Sequence, residues 1–331
     1  MDEDKFDNFL AQLLSELQNE IGEEFQSIND VSEKGMDYLV TACHESGIAL
    51  PEDWPNERLS MLLFLDHPLA FRMAYDLYAW RASSNTMSHF QFSHSEAVVD
   101  AEAIGLFKAS TESFFHGQGK GDDCKIRHYQ EDDGAHLLLV ARGDHIQALS
   151  VWEGGNERTT FPRPLREDLL RYDPANGVLS IKAYGRSTAE VKHYVQAWTT
   201  EVLGKNQAEL FTQTVVSLDP IKAGRFNYDG NELIEWIRLV DLRLTLYASK
   251  PITVRISSED VVNSLSVDLR SIRLSGATLR SVKLAFKLNY DGASAKPVLV
   301  EVTPPNVTRM NRKKDEDIIN SYLRAEGILL V

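Results

Sequence analysis

Residues 281–290 read SVKLAFKLNY. Val282, Leu284, Phe286, Leu288 and Tyr290 alternate with Ser281, Lys283, Ala285, Lys287 and Asn289, the period-two pattern of a strand with one apolar and one polar face. Asp291-Gly292 follows as a turn signal, and Val298 to Val302 supplies a second apolar run. Residues 280–303 are therefore expected to form a hairpin, ended by Pro304-Pro305. Upstream, Ile252, Val254 and Ile256 alternate with Thr253, Arg255 and Ser257 in the same way. The back of the chain thus reads as strand-rich, with a short helix over 315–323.

Towards the middle, 125–129, 137–142, 147–152 and 178–183 are strand candidates. Glu131-Asp132-Asp133-Gly134 has hairpin chemistry, and Asp173-Pro174-Ala175-Asn176-Gly177 has turn chemistry. Ser187 and Glu190 stand at capping-box spacing, Val191, Tyr194, Val195, Trp198 and Val202 share one helical face, and Gly204 ends it. This part reads as an antiparallel meander with a crossing helix.

The front reads as helices. Phe6, Phe9, Leu10, Leu13, Leu17 and Ile21 recur at three- and four-residue steps. A second helix is expected after Asp30, through Met36, Leu39, Val40 and Cys43 to Gly47. Pro55 and Pro68 each suit the start of another, residues 83–85 suit a turn, and a last helix should span about 95–115. His116 to Asp123, HGQGKGDD, reads as a linker. The expected fold is α+β, with an acidic helical domain at 1–117, a central meander at 124–212 and a basic strand-rich domain at 225–331. The break between the last two, near Thr212 to Gly224, is weak.

The chain of 331 residues is 43% hydrophobic and 25% charged, which suits a multi-domain globular protein. No stretch approaches the roughly 18 apolar residues of a membrane span, and the opening MDEDKFDNF is acidic, unlike a secretory signal. A cytoplasmic location without membrane attachment is expected. Cys43 and Cys124 are far apart and outside any C-x-x-C pattern, which fits reduced, inert thiols.

The formal net charge of −14 is unevenly spread. Residues 1–60 hold fifteen acidic and three basic residues, whereas residues 238–314 hold fourteen basic and six acidic ones. If Val282, Leu284 and Phe286 face a core, Lys283 and Lys287 face away from it together, and Arg255 has the same outward phase. Arg243, Arg270, Arg273 and Arg280 lie around these strands in sequence, and Arg309, Arg312, Lys313 and Lys314 follow the last one. A continuous sheet face of such cations suits a polyanion, through counterion release. Wet faces of antiparallel sheets also carry Lys and Arg in the ordinary way, but they usually mix both signs. Aromatics for base stacking are few, Tyr247, Phe286 and Tyr290, so backbone contacts would outweigh base contacts. The acidic front is a third candidate to cover this face.

Other constellations are thinner. Arg186 and His193, six residues between them, have a spacing that resembles the Arg-to-His motif of the HEPN ribonucleases. The match is two residues long, those domains are all-helical, and the pair reads as a surface pair. Asp291 with Glu301 and Thr303 resembles the PD-(D/E)xK nuclease pattern, two carboxylates on neighbouring strand ends that could hold Mg²⁺. Thr303 stands where that pattern has its Lys. His89, His94 and Glu96 lack a fourth ligand and the spacing of a metal site. Gly117, Gly119, Lys120 and Gly121 lack the hydroxyl residue and the preceding strand of a phosphate loop.

The function expected from these residues is that of a non-catalytic interaction subunit of an intracellular assembly, without a cofactor. Its basic back, through Arg243, Arg255, Arg273, Arg280, Lys283, Lys287, Arg309, Arg312, Lys313 and Lys314, would contact nucleic acid or an acidic protein partner. The alternative is a metal-dependent nuclease or hydrolase using Asp291 and Glu301. The sequence carries no signal for oligomeric state.

Overall fold

A computed structural model describes residues 21–50, 54–82, 85–92, 99–131, 134–184, 188–205, 214–247, 250–267, 274–290, 296–311 and 315–330. The fold is α+β, as expected. The chain divides into two compact units, Met1–Ser83 and Ser84–Val331. Among the described residues no helix is long and apolar enough to cross a membrane.

The first unit is helical: α1 over 21–34, α2 Met36–Glu45, α3 Asn56–Asp66 and α4 Pro68–Ala82. The helix expected to begin after Asp30 is instead two helices that meet at Gly35. There the Gly35 amide donates to the Val31 carbonyl at 2.8 Å, and a Cβ would stand only 2.8 Å from that same oxygen. Both α2 and α3 pack on α4. The Ser60 hydroxyl ties α3 to the Ile28 carbonyl of α1 at 3.1 Å. Pro68 opens α4, where its missing N–H costs nothing.

The second unit is built on one antiparallel sheet of ten strands. They are β1 Asn85–Gln91, β2 Cys124–Gln130, β3 His136–Gly143, β6 Leu165–Asp173, β7 Val178–Lys182, β8 Ile234–Tyr247, β9 Pro251–Ser257, β10 Ala277–Leu288, β11 Val298–Thr303 and β12 Val307–Met310. Their spatial order is β2-β3-β6-β7-β1-β12-β11-β10-β8-β9. Strands β4 Leu149–Glu153 and β5 Asn156–Thr160 pair only with each other. The helices are α5 Ala101–Gly117, α6 Thr188–Ala197, α7 Asp219–Lys222, α8 Val261–Val267 and α9 Glu316–Ala325, with a π-helical turn Trp198–Val202 after α6.

Several expectations are corrected here. The segment after α4 is a strand, β1, not part of a helical domain reaching to 117. It is the strand that joins the two halves of the sheet, so 124–212 and 225–331 share one sheet. HGQGKGDD is a tight α5-to-β2 connection rather than a linker between domains. Gly119 and Gly121 take φ of 72° and 105° there, and Gly119 N–H caps the His116 carbonyl at 2.9 Å. The last helix of the front begins at Ala101, where the Asp100 carboxylate accepts the Ala103 N–H at 2.8 Å.

The cores of the two halves lie on opposite faces of the sheet, and the pairing register shows it. Side chains of directly paired residues project to one side. Ser88 of β1 is paired with Ile181 of β7 and with Val307 of β12. Ile181 belongs to the first core, which α5 and α6 fill with Phe107, Phe115, Tyr194 and Trp198 against Leu138, Val140, Leu170 and Tyr172. Following the same side through Thr86, one meets Arg309 on β12, Glu301 on β11, Lys283 on β10 and Asp241 on β8. The other side of those strands carries the second core, where Val282, Leu284, Phe286, Val300, Val302 and Leu242 pack with Phe226, Ile319 and Leu323. At roughly 1.5–3 kcal/mol for each large apolar side chain removed from water, two such cores hold the halves independently. At the seam, the His89 ring hydrogen-bonds Ser180 Oγ on β7 and Thr308 Oγ1 on β12, both at 2.7 Å.

Candidate functional site

On the side where α5 and α6 cover the first half of the sheet, the second half carries Asp241, Lys283, Glu301 and Arg309 in place of apolar core residues. That face holds the described part of the cations singled out from the sequence. Arg243 and Arg255 are cross-strand partners, and both are exposed. Their guanidiniums converge on Asp241, whose carboxylate takes Arg255 Nε at 2.7 Å and lies 4.0 Å from Arg243 Nε. Ser257 Oγ also donates to Asp241, at 2.9 Å. Arg280 is turned onto the same face, with its Nε on Thr245 Oγ1 at 3.0 Å. Arg238 stacks on Trp236 at 4.4 Å.

Along one row, the register sets Asp241, Lys283, Glu301 and Arg309 side by side on four adjacent strands. The signs alternate, minus, plus, minus, plus. Opposite charges directly across an antiparallel pair stabilise it by roughly 0.2–1 kcal/mol. Lys283, Glu301 and Arg309 also surround a hollow of about 130 Å³ with Leu299 and Asn311. The expectation of an unbroken positive field is thus modified, because two acids sit inside it. Lys287 has the outward phase expected for it but is only 6% exposed. Arg238, Arg243, Arg255, Arg280, Lys283 and Arg309 still outnumber Asp241 and Glu301 on this face, so it remains net positive. Arg270, Arg273, Arg312, Lys313 and Lys314 lie outside the described residues.

Of the metal-hydrolase candidates, only Glu301 lies among the described residues. Asp291 lies outside the described residues, and Glu301 stands mid-ladder between Lys283 and Arg309. Among the described residues no group of three His, Cys, Asp or Glu could hold a metal ion. His94, Glu96 and Arg186 lie outside the described residues. His193 is half-buried: its ring stacks on Phe114, centroids 4.1 Å apart, and burial pushes its imidazole down to about 4. Cys43 and Cys124 are both buried free thiols, and burial raises Cys124 to about 11, so neither is poised as a nucleophile.

One constellation was not anticipated from sequence. Arg142 of β3, 2% exposed, donates from Nε to Asp168 of β6 at 2.6 Å and from a terminal nitrogen to Glu190 of α6 at 3.2 Å. The Tyr194 hydroxyl also donates to Asp168 at 2.6 Å, as does the Tyr184 N–H, and Lys120 pairs with Glu190. The guanidinium lies over the Phe115 ring at 4.1 Å. Burial, then the Asp168 charge, holds the Tyr194 phenol well above its usual range. Each charge is neutralised within the network, and it pins α6 and the α5-to-β2 turn to the sheet. Beside it a cleft of about 520 Å³ is lined by Gly119, Gly121, Gly143, His116, Asp122 and Arg163. His116 there is bound to Asp122 at 2.5 Å, and Arg163 to the Gly119 and Asp144 carbonyls at 2.9 and 2.8 Å. In the cleft, His116 is thus engaged through Nδ1 with Asp122, and Arg163 with backbone carbonyls. No family model matches the chain, and no curated protein is similar to it.

Proposed function

We propose that the chain is a non-catalytic interaction subunit of a cytoplasmic assembly, and that the charged face of the β8–β12 half of the sheet takes an acidic protein segment. One observation carries this reading: six cations lie on one sheet face with two acids, Asp241 and Glu301, four of the eight forming a cross-strand ladder of alternating sign. A phosphate backbone would meet Glu301 as a repulsive group in the middle of that ladder. A protein segment that is mainly acidic but carries its own basic residues can place each sign opposite its complement. Rim cations of this kind act chiefly on association rate and on specificity, and their effect is screened by salt.

The test is fluorescence anisotropy with two probes, an acidic peptide and a nucleic acid, each at low and at physiological salt. The acidic peptide is expected to bind, more weakly as salt rises. Arg255→Glu should weaken it at least several-fold, and Asp241→Asn, which releases two guanidiniums, should strengthen it. Tighter binding of the nucleic acid than of the peptide would replace the proposed partner. Binding of neither would overturn the reading, and so would Mg²⁺-dependent cleavage that is lost in Glu301→Gln.

A further inference from the structure

Strands β3 and β6 do not stop at the edge of the sheet. Their pairing runs on, with Asp144 N–H on the Pro164 carbonyl at 3.0 Å and Gln147 N–H on the Pro162 carbonyl at 3.1 Å, into the β4–β5 ribbon. Neither β2 nor β7 accompanies it, so residues 144–164 overhang as a two-stranded arm. The turn at its tip is Gly154-Gly155, φ 58° and 81°, the two positive angles that the tightest hairpin turn needs. At its base Arg163 and the Asp144–Arg166 pair, 3.1 Å apart, clamp it to the body. A lone two-stranded ribbon is marginal in water, and three or more strands are needed for independent stability.

This arm is also unusually apolar for a solvated surface. Trp152 is 80% exposed, Phe161 68%, Ile146 57% and Leu149 45%. Residues 146–152, IQALSVW, contain no charge in a chain that is 25% charged. With 150–250 Å² for an aromatic side chain and somewhat less for an aliphatic one, these four residues expose roughly 450 Å² of apolar surface. Each partner in a standard interface contributes about 800 Å², of which somewhat more than half is apolar. The arm alone thus supplies about the apolar share of one side of a specific interface.

We propose that the arm is a dimerisation element, with β4 pairing antiparallel to β4 of a second copy about a two-fold axis at Val151. Three features select this occupant. β5 carries Glu157 and Arg158 in its interior, ions that block edge pairing, whereas β4 presents Leu149-Ser150-Val151-Trp152 and carries its one ion, Glu153, at the end next to the turn. Pairing about Val151 sets Trp152 of each copy opposite Ser150 of the other and beside Ala148, so that the largest side chain meets the two smallest. Ser150 and Trp152 lie on the same face of β4, opposite Thr159 and Glu157 of β5, so in the joined sheet the two Trp152 rings share one face and are flanked by polar β5 side chains. The assembly closes as a four-stranded β5-β4-β4-β5 sheet, because both outer edges are the charged β5 strands. This proposal does not depend on the partner proposed for the basic face.

The full chain is examined by light scattering after gel filtration at roughly 50 µM, above a micromolar dissociation constant. The expected mass is twice that of one chain. Val151→Cys should form an intermolecular disulfide on oxidation, since directly paired residues of antiparallel strands lie within disulfide reach and the two native thiols are buried. Val151→Lys and Val151→Glu should each be monomeric, with unchanged circular dichroism, and an equimolar mixture of the two should recover the dimer. A monomeric wild type, a Val151→Cys chain that does not crosslink, or a dimer that survives in both charge variants would overturn the proposal. Failure of the mixture to recover the dimer would do the same.

Discussion

Asp168→Asn is the substitution for which the structure yields the sharpest number. The carboxylate is buried and accepts three hydrogen bonds, from Arg142 Nε at 2.6 Å, Tyr194 OH at 2.6 Å and the Tyr184 N–H. The amide keeps the volume but loses the charge, so Arg142 is left with Glu190 alone as its buried counter-ion, and Glu190 already serves Lys120. Breaking one partner of a buried ion pair costs about 3–5 kcal/mol, because the remaining charge is left under-compensated. Tyr194→Phe removes only one hydroxyl donor to a charged acceptor and should cost about 1.5–3 kcal/mol. The two residues are joined by one hydrogen bond, so their effects should not add, and a double-mutant cycle should show a coupling of about 1 kcal/mol or more. The assay is urea unfolding monitored by circular dichroism, with the midpoint and slope fitted together. A thermal scan should show Asp168→Asn melting about 10 °C early, at roughly 2–4 °C per kcal/mol for a unit of this size. A loss under about 1 kcal/mol in Asp168→Asn, or strict additivity with Tyr194→Phe, would refute the view that this network fastens α6 to the sheet.

Two further outcomes test other parts of the structure. Burial holds the His193 imidazole down at about 4, against 6.5 for an unperturbed ring, so between those values the unfolded chain binds a proton that the folded one refuses. Stability should therefore fall as the pH drops through that window, with burial of His128 and His136 acting in the same direction. His193→Phe, which keeps the stack on Phe114, should reduce the stability difference between about pH 7 and about pH 4.5 by about 2 kcal/mol after allowance for partial exposure. An unchanged pH slope in urea melts would contradict this. At Gly230, φ is 80° and a Cβ would lie 2.2 Å from the Ile234 carbonyl oxygen, whereas Gly224, φ 65°, has open space around it. Gly230→Ala should cost about 3 kcal/mol and Gly224→Ala only about 1, and equal losses in denaturant melts would count against the close approach of Gly230 to the Ile234 carbonyl at the start of β8.

Much of the second half of the fold was legible because its hydrophobic pattern survives locally. The β10–β11 hairpin follows from period two, and a short helix is expected over 315–323, where α9 lies. Strand β8 escaped the same reading for a geometric reason. Irregularities in its pairing with β10, at Leu279/Ser281, Lys283/Leu284 and Lys287/Leu288, shift the inward positions, so Ile234, Ile237, Leu239, Leu242 and Leu244 recur at steps of three and two rather than two. Strand β1, NTMSHFQ, is largely polar, because at the seam between opposed cores neither of its faces is wholly apolar. Strand β5 is short and polar, and its one local signal was the Gly154-Gly155 turn. Glu190 has the spacing of a helix cap, and nothing near it in sequence marks the arginine and lysine it meets.

By itself the sequence determined the fold class, the position of the central hairpin, the outward phase of Lys283 and the charge asymmetry between front and back, since all of these rest on periodicity and composition within a few residues. Only the tertiary structure decided that Lys283 lies between Asp241 and Glu301, that Lys287 is buried, that Arg142 has two acidic partners, and that the two helical covers take opposite faces of one sheet. Those outcomes depend on which strands become neighbours and in what register. Register is set by the summed burial of many side chains distant in sequence, and no short stretch of the chain encodes that sum.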